Sequence, residues 1–225
     1  MLGINFHDII ALNCTLITQK ADLEVNILIE IDKLKNKIEK NGGIMKTSEL
    51  KAIGLNSRQI SRLLQQNVLS KIKTGVYEIF DGSVPDEVMI AKIFPTAIIY
   101  LESALLHYGY TDRIPSTWQI AVDKNISKPQ FNISYPPVTP YYLDRKYIYV
   151  GIAEFEINGI KIRIYDKERT ICDVLRYSNK LDREVFSNAI QKYLKDKDRN
   201  IERLMKYAKT LRVTEKVKTY IGVWL

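Results

Sequence analysis

The sequence predicts an α+β protein: an N-terminal winged helix-turn-helix, then a mixed α/β domain that ends in several helices. Three observations predict it. From Lys46 to Phe80 the pattern reads helix, tight turn, capped helix and hairpin. From Trp118 to Tyr165, alternating apolar residues and an Asn-Gly pair mark strands. From Asp166 onward, apolar residues recur at helical spacing nearly to the end.

Residues 1–25 carry Ile9, Ile10, Leu12, Leu16 and Ile17 without a clean period, and are read as an N-terminal extension with no assigned role. Asn26 to Lys40 is an amphipathic helix, with Ile27, Leu28, Ile31, Leu34 and Ile38 on one face and Lys33, Lys37 and Lys40 on others. Asn41-Gly42-Gly43 ends it, and Ile44 and Met45 form a short extended link. Thr47 is placed to cap a helix over Ser48 to Ile53, with Glu49 near its positive end. Gly54 stops that helix, because glycine adopts the left-handed conformation without steric cost.

Asn56 is placed to cap the next helix, and Gln59 stands where a capping-box partner reaches back. Ile60, Leu63 and Leu64 form its apolar stripe. A turn of about 100° per residue puts Arg58, Arg62 and Gln65 on the opposite face, with Ser57, Ser61 and Gln66 at its edges. Guanidinium, amide and hydroxyl groups are the donors that read base edges and phosphates. Ser70 to Lys73 and Val76 to Phe80 read as two strands around Thr74-Gly75, with Lys71 and Lys73 on one side. From Lys46 to Lys73 the only acid is Glu49.

The expected DNA contacts follow. Arg58, Arg62 and Gln65 face bases or phosphates, assisted by Ser57, Gln59 and Ser61. Lys71 and Lys73 hold neighbouring phosphates, and Lys46, Thr47 and Ser48 meet the backbone at the first helix start. A solvated helix face, or a protein-binding winged helix, would carry the same residue types.

The Asp81-Gly82-Ser83-Val84-Pro85 run marks a boundary, giving a DNA-binding domain over 26–82 and a C-terminal domain over 83–225. In the latter, Asp86 to Phe94 reads as a helix ending before Pro95. Ile98 to Tyr110 contains a helix stopped by Gly109, and Trp118 to Val122 is a strand. Lys124 to Tyr142 reads as irregular, with one strand near Phe131 to Tyr135. Tyr147 to Glu156 and Ile160 to Tyr165 are strands joined by Asn158-Gly159, so the middle region is expected to pair antiparallel. Asp166 caps a helix in which Arg169 and Asp173 are i, i+4 partners. Helices over Arg183 to Leu194, Asn200 to Thr210 and Thr214 to Tyr220 follow. This tail is strongly basic, which fits either solvated faces or a second surface for phosphates or an acidic partner.

Composition agrees with a packed protein facing a polyanion. Of 225 residues, 46% are hydrophobic and 27% charged, and the net charge is +8. Two distant cysteines show neither a disulfide framework nor metal spacing, which suits a reducing cytoplasm. No apolar run reaches membrane-span length, and the N-terminus lacks a signal-peptide pattern. No nucleophile motif, phosphate loop, cofactor motif or metal motif occurs, so the chain is expected to be no enzyme. His107, at a helix end beside Tyr108, suits packing. Glu154, Glu156 and Lys161 would suit a Mg²⁺ nuclease, but exposed-face alternation produces the same set.

The chain resembles the AbiEi family of antitoxins from bacterial abortive-infection toxin–antitoxin systems, over about residues 26 to 195. Three blocks in family order carry the resemblance: GGIMKTSELKAIGLNSRQISRLLQQNVLSKIKTGVYEIF, IIYLESALLHYGYTDRIPSTWQIAV and IRIYDKERTICDVLRY. The resemblance implies a transcriptional autorepressor that binds inverted repeats in its own promoter. It also implies an antitoxin that counters an AbiEii toxin similar to nucleotidyltransferases. In that family the winged helix binds DNA and the C-terminal domain carries the antitoxin activity. The family is classed as type IV, in which toxin and antitoxin need not touch. The alternative kept beside it is a module whose basic C-terminal helices dock directly on an acidic toxin surface.

Overall fold

A computed structural model describes residues 32–79, 84–133 and 135–222. The expected extension over 1–25, the start of the first helix over 26–31 and the expected linker residues 81–83 lie outside these. The described residues divide into two units: 32–71 with 77–79, and 72–76 with 84–222. The tip of the hairpin therefore groups with the second unit.

The first unit begins with helix α1 (32–40) and continues through β1 (Ile44–Lys46), α2 (Thr47–Ala52) and α3 (Ser57–Gln65). The hairpin strands β2 (Leu69–Lys73) and β3 (Val76–Ile79) follow. The sheet order is β1-β3-β2, so the link expected at Ile44–Met45 is a third strand. All three helices end alike. Gly42, Gly54 and Asn67 take positive φ, and the next residue's N–H returns to a carbonyl five residues back: Gly43 to Ile38, Leu55 to Leu50, Val68 to Leu63. Two of these stops were expected from glycine; Asn67 does the same work at φ 53°.

Helix α3 starts with the expected capping box. The Asn56 side chain accepts from Gln59 N–H (3.0 Å), and the Gln59 side chain accepts from Asn56 N–H (2.9 Å). Helix α2 begins one residue earlier than expected: Thr47 lies inside it, and the Lys46 N–H donates to the Glu49 carboxylate (2.6 Å). The core joins Ile38, Met45, Leu50, Ile60, Leu63, Leu69 and Ile79. Each such side chain contributes about 1.5–3 kcal/mol on burial, which a short helix cannot supply alone.

The second unit carries a five-stranded sheet of order β6-β5-β4-β8-β7. Its strands are β4 (Ile98–Ile99), β5 (Trp118–Asp123), β6 (Val138–Leu143), β7 (Ile152–Ile157) and β8 (Ile160–Tyr165). Its helices are α4 (Asp86–Ile93), α5 (Leu101–His107), α6 (Arg145–Ile148), α7 (Lys167–Arg176), α8 (Arg183–Lys195), α9 (Ile201–Leu211) and α10 (Thr214–Ile221). The fold is thus mixed α+β with several C-terminal helices.

Three expectations about this unit need correction. The strand placed near Phe131 to Tyr135 is instead β6; Lys128–Phe131 is a 3₁₀ turn. β6 contains Pro140, and proline is tolerated there because β6 is an edge. Pairing is not only antiparallel: β5 and β6 run parallel, as do β4 and β8. The strand expected from Tyr147 begins at Ile152, after the short helix α6. The Asn158-Gly159 turn is as expected, both residues having positive φ.

Helix α7 is where the C-terminal helices are tied to the sheet. Asp166 caps it through Arg169 N–H (2.8 Å) and accepts from the Tyr207 hydroxyl (3.0 Å). Lys167 pairs with Asp196 at 2.8 Å. Glu168 is buried and accepts from Asn200 N–H at the start of α9 (2.8 Å). Arg169, fully buried, pairs with Asp173 (2.7 Å) and donates to the carbonyls of Tyr147 (2.6 Å) and Val150 (2.7 Å). A side chain at Gly151 would put a Cβ 2.6 Å from that of Arg169, so only glycine allows this approach.

The Asp196 pair gives a pH prediction. Partial burial pushes its carboxyl up, but hydrogen bonds from Lys167 and Tyr110 outweigh this and bring it down to about 2. A depressed carboxylate stabilises the fold above its unfolded value near pH 4, and that stability is lost as pH falls toward 2. Asp196→Asn is expected to cost about 1–2 kcal/mol at pH 7 and about half of that at pH 3. Urea unfolding at both pH values checks this; an equal deficit at each would refute it.

Candidate nucleic-acid interface

Helix α3 divides cleanly. Ile60 and Leu63 are buried, while Ser57, Arg58, Gln59, Ser61, Arg62 and Gln65 are exposed. Lys46, Ser48 and Lys71 are exposed too, and Thr47 is half-buried. No carboxylate lies within ion-pairing distance of Arg58, Arg62, Lys46 or Lys71 among the described residues. Glu49, the stretch's only acid, is held at the start of α2 by Lys46 N–H. The result is a row of amides and of cations with no ion-pair partner among the described residues, on the side of α3 that the core does not use.

The structure changes the expected role of three of these residues. Lys73 is half-buried, and its ammonium lies 4.8 Å from the centre of the Phe94 ring, in cation–π range. A phosphate held by Lys73 would share its ammonium with that ring. The Gln59 carbonyl already accepts one bond in the cap, which leaves its NH₂ and a second lone pair for a ligand. The Ser61 hydroxyl donates to the Ser57 carbonyl (3.0 Å) and keeps only acceptor capacity.

The other constellations make contacts within the second unit. Glu154 faces Arg163 across the β7–β8 ladder and Glu156 faces Lys161. Glu154 lies 3.8 Å from Arg163 and 4.0 Å from Lys161. That is a cross-strand ion ladder at an edge strand, which also discourages edge pairing. Among the described residues no group of three or more acidic, histidine or cysteine side chains is placed to hold a metal. The His107 ring packs 4.1 Å from Phe155, and burial lowers its pKa. Cys172 is buried, and burial pushes its thiol up, away from nucleophile chemistry.

The basic tail is partly engaged within its own unit. Lys192 pairs with Asp112 (2.9 Å), Lys218 with Glu215 (2.9 Å) and Arg203 with Glu168 (3.6 Å). Lys216 caps the end of α7 by donating to the Leu175 carbonyl (2.8 Å) and the Ser178 hydroxyl (3.0 Å). Lys195, Lys197, Lys206, Lys209 and Arg212 remain exposed. Sequence reasoning gave no role to Lys33, Lys37 and Lys40 of α1, which border a groove beside α3. Their i, i+4, i+7 spacing was the available signal.

No helix among the described residues is long and apolar enough to cross a membrane. The chain matches no family model and no curated protein. Among solved structures it is similar to the RV2827C protein from Mycobacterium tuberculosis, with 11% identity, a TM-score of 0.57, and coverage of 82% of this chain and 76% of that one. This likeness is one of fold.

Proposed function

We propose that the protein is a DNA-binding transcriptional repressor, and that it acts as the AbiEi-type antitoxin its sequence resembles. The single observation that carries the DNA reading is the one-sided cationic face of α3, without an ion-pair partner among the described residues, beside an exposed Lys71. In a winged helix-turn-helix the second helix of the turn lies in the major groove. Here that helix is α3. Arg58 and Arg62 supply planar donor forks for guanine edges or phosphates, and Gln65 supplies an amide. Lys71 and Lys46 hold flanking phosphates as point charges. The antitoxin part, with an AbiEii-type toxin as counterpart and a cytoplasmic setting, rests on the three sequence blocks.

A phosphate contact and a base contact leave different signatures. Lys71→Ala is expected to weaken binding to all duplexes alike and to reduce the slope of log K against log salt by about one. Fluorescence anisotropy with DNA from upstream of the gene, over a salt series, measures it. An unchanged slope removes Lys71 from the interface. Failure of the wild type to bind any duplex at low salt removes the DNA reading.

A further inference from the structure

We infer that the first unit holds a binding groove for a small amphiphilic anion, placed so that its occupant competes with DNA. The groove has a volume of about 670 Å³ and lies between α1, the α2–α3 turn and α3. That is the size of a small-molecule site. Its floor is apolar: Leu34, Ile53 and Leu55 are half-buried and Leu63 is buried. Its rim is cationic, formed by Lys33, Lys37, Lys40 and Arg62, and among the described residues no carboxylate pairs with any of the four.

The combination selects a ligand class. An apolar body would cover the half-buried leucines and isoleucine, which otherwise face water. A carboxylate, sulfonate or phosphate head would meet the lysine row, which spans about 10 Å along α1 at 1.5 Å per residue. A neutral apolar molecule leaves the lysines unused, and a bare inorganic anion leaves the floor exposed. Arg62 and Gln59 line the groove and also belong to the α3 face assigned to DNA. An anion drawing the Arg62 guanidinium toward the groove removes it from a phosphate or base. Binding and DNA release are thereby linked, each weakening the other by the same factor. This regulatory half rests on the DNA reading; the binding half does not.

The test uses the full chain and 8-anilinonaphthalene-1-sulfonate as the probe. The expected result is saturable fluorescence enhancement at one site. Laurate below its micellar concentration should displace the probe, whereas dodecyl maltoside and inorganic phosphate should not. The double variant Lys33→Ala/Lys37→Ala should weaken probe and laurate binding about tenfold with an unchanged melting temperature. Laurate should also release bound duplex from the wild type, and less effectively from the double variant. Displacement by the maltoside as strongly as by laurate, or unchanged affinity in the double variant, overturns the proposal. The Arg58→Ala variant separates the two readings, because Arg58 does not line the groove: it should lose duplex affinity and keep the probe. Probe binding without competition against DNA overturns the regulatory half.

Discussion

Replacing Arg58 and Arg62 together by alanine is expected to lower affinity for operator DNA by about 30-fold or more while leaving the fold intact. Each arginine contact to a base is worth about 1–3 kcal/mol, and about 1.4 kcal/mol is a factor of ten in affinity. Both side chains are exposed and make no ion pair among the described residues, so their loss removes nothing from the core. Surface changes of that kind shift stability by at most about 0.5 kcal/mol. The measurement is anisotropy against specific and scrambled duplexes, with thermal unfolding as the control. Loss on the specific duplex exceeding loss on the scrambled one assigns base contact; equal loss assigns phosphate contact. Unchanged affinity on both, in a folded double variant, shows that this face does not meet DNA.

The second large effect lies in the other unit. Arg169→Ala is expected to destabilise the protein by about 3–5 kcal/mol, because it leaves Asp173 charged and unpaired in the interior. Asp173 is fully buried. Burial pushes its carboxyl up, and the Arg169 guanidinium opposes that push. The same guanidinium stacks 4.1 Å from the centre of the Tyr165 ring and holds the carbonyls of Tyr147 and Val150. Its removal therefore frees the α6–β7 turn as well as the carboxylate. A fall in melting temperature of about 10 °C is the expected size for a domain of this length. Arg169→Met with Asp173→Leu removes both charges and is expected to recover much of that loss, because the desolvation cost goes with the pair. A drop below about 2 °C for Arg169→Ala would mean that the pair contributes little net stability.

Local signals in the first unit were legible because the chemistry was local. Asn56 and Gln59 reach only three residues, and a positive φ at Gly54 needs only the absence of a Cβ. The exposed face of α3 followed from period alone, since one helix buries one stripe. Where a distant partner decides the outcome, local spacing does not show it. Lys73 alternates like a wing lysine, yet the Phe94 ring, 21 residues further along the chain, occupies its ammonium. Lys124 to Tyr142 reads as irregular, yet the sheet order places Pro140 in a strand at an edge, where the missing N–H costs nothing.

By itself, then, the sequence determined helix ends, turns, the apolar stripes and the cationic side of α3, because each depends on residues within a few positions of one another. The tertiary structure alone decided the parallel strand pairs, the edge position of β6 and the burial of Glu168 to Asp173 in α7. It alone held Leu101 at φ 42°, a strained value for leucine that full burial maintains. It alone set the lysines of α1 across a groove from Arg62. The physical reason is common to these cases: desolvation and pairing energies depend on which groups share a volume, and only folding brings together groups far apart along the chain.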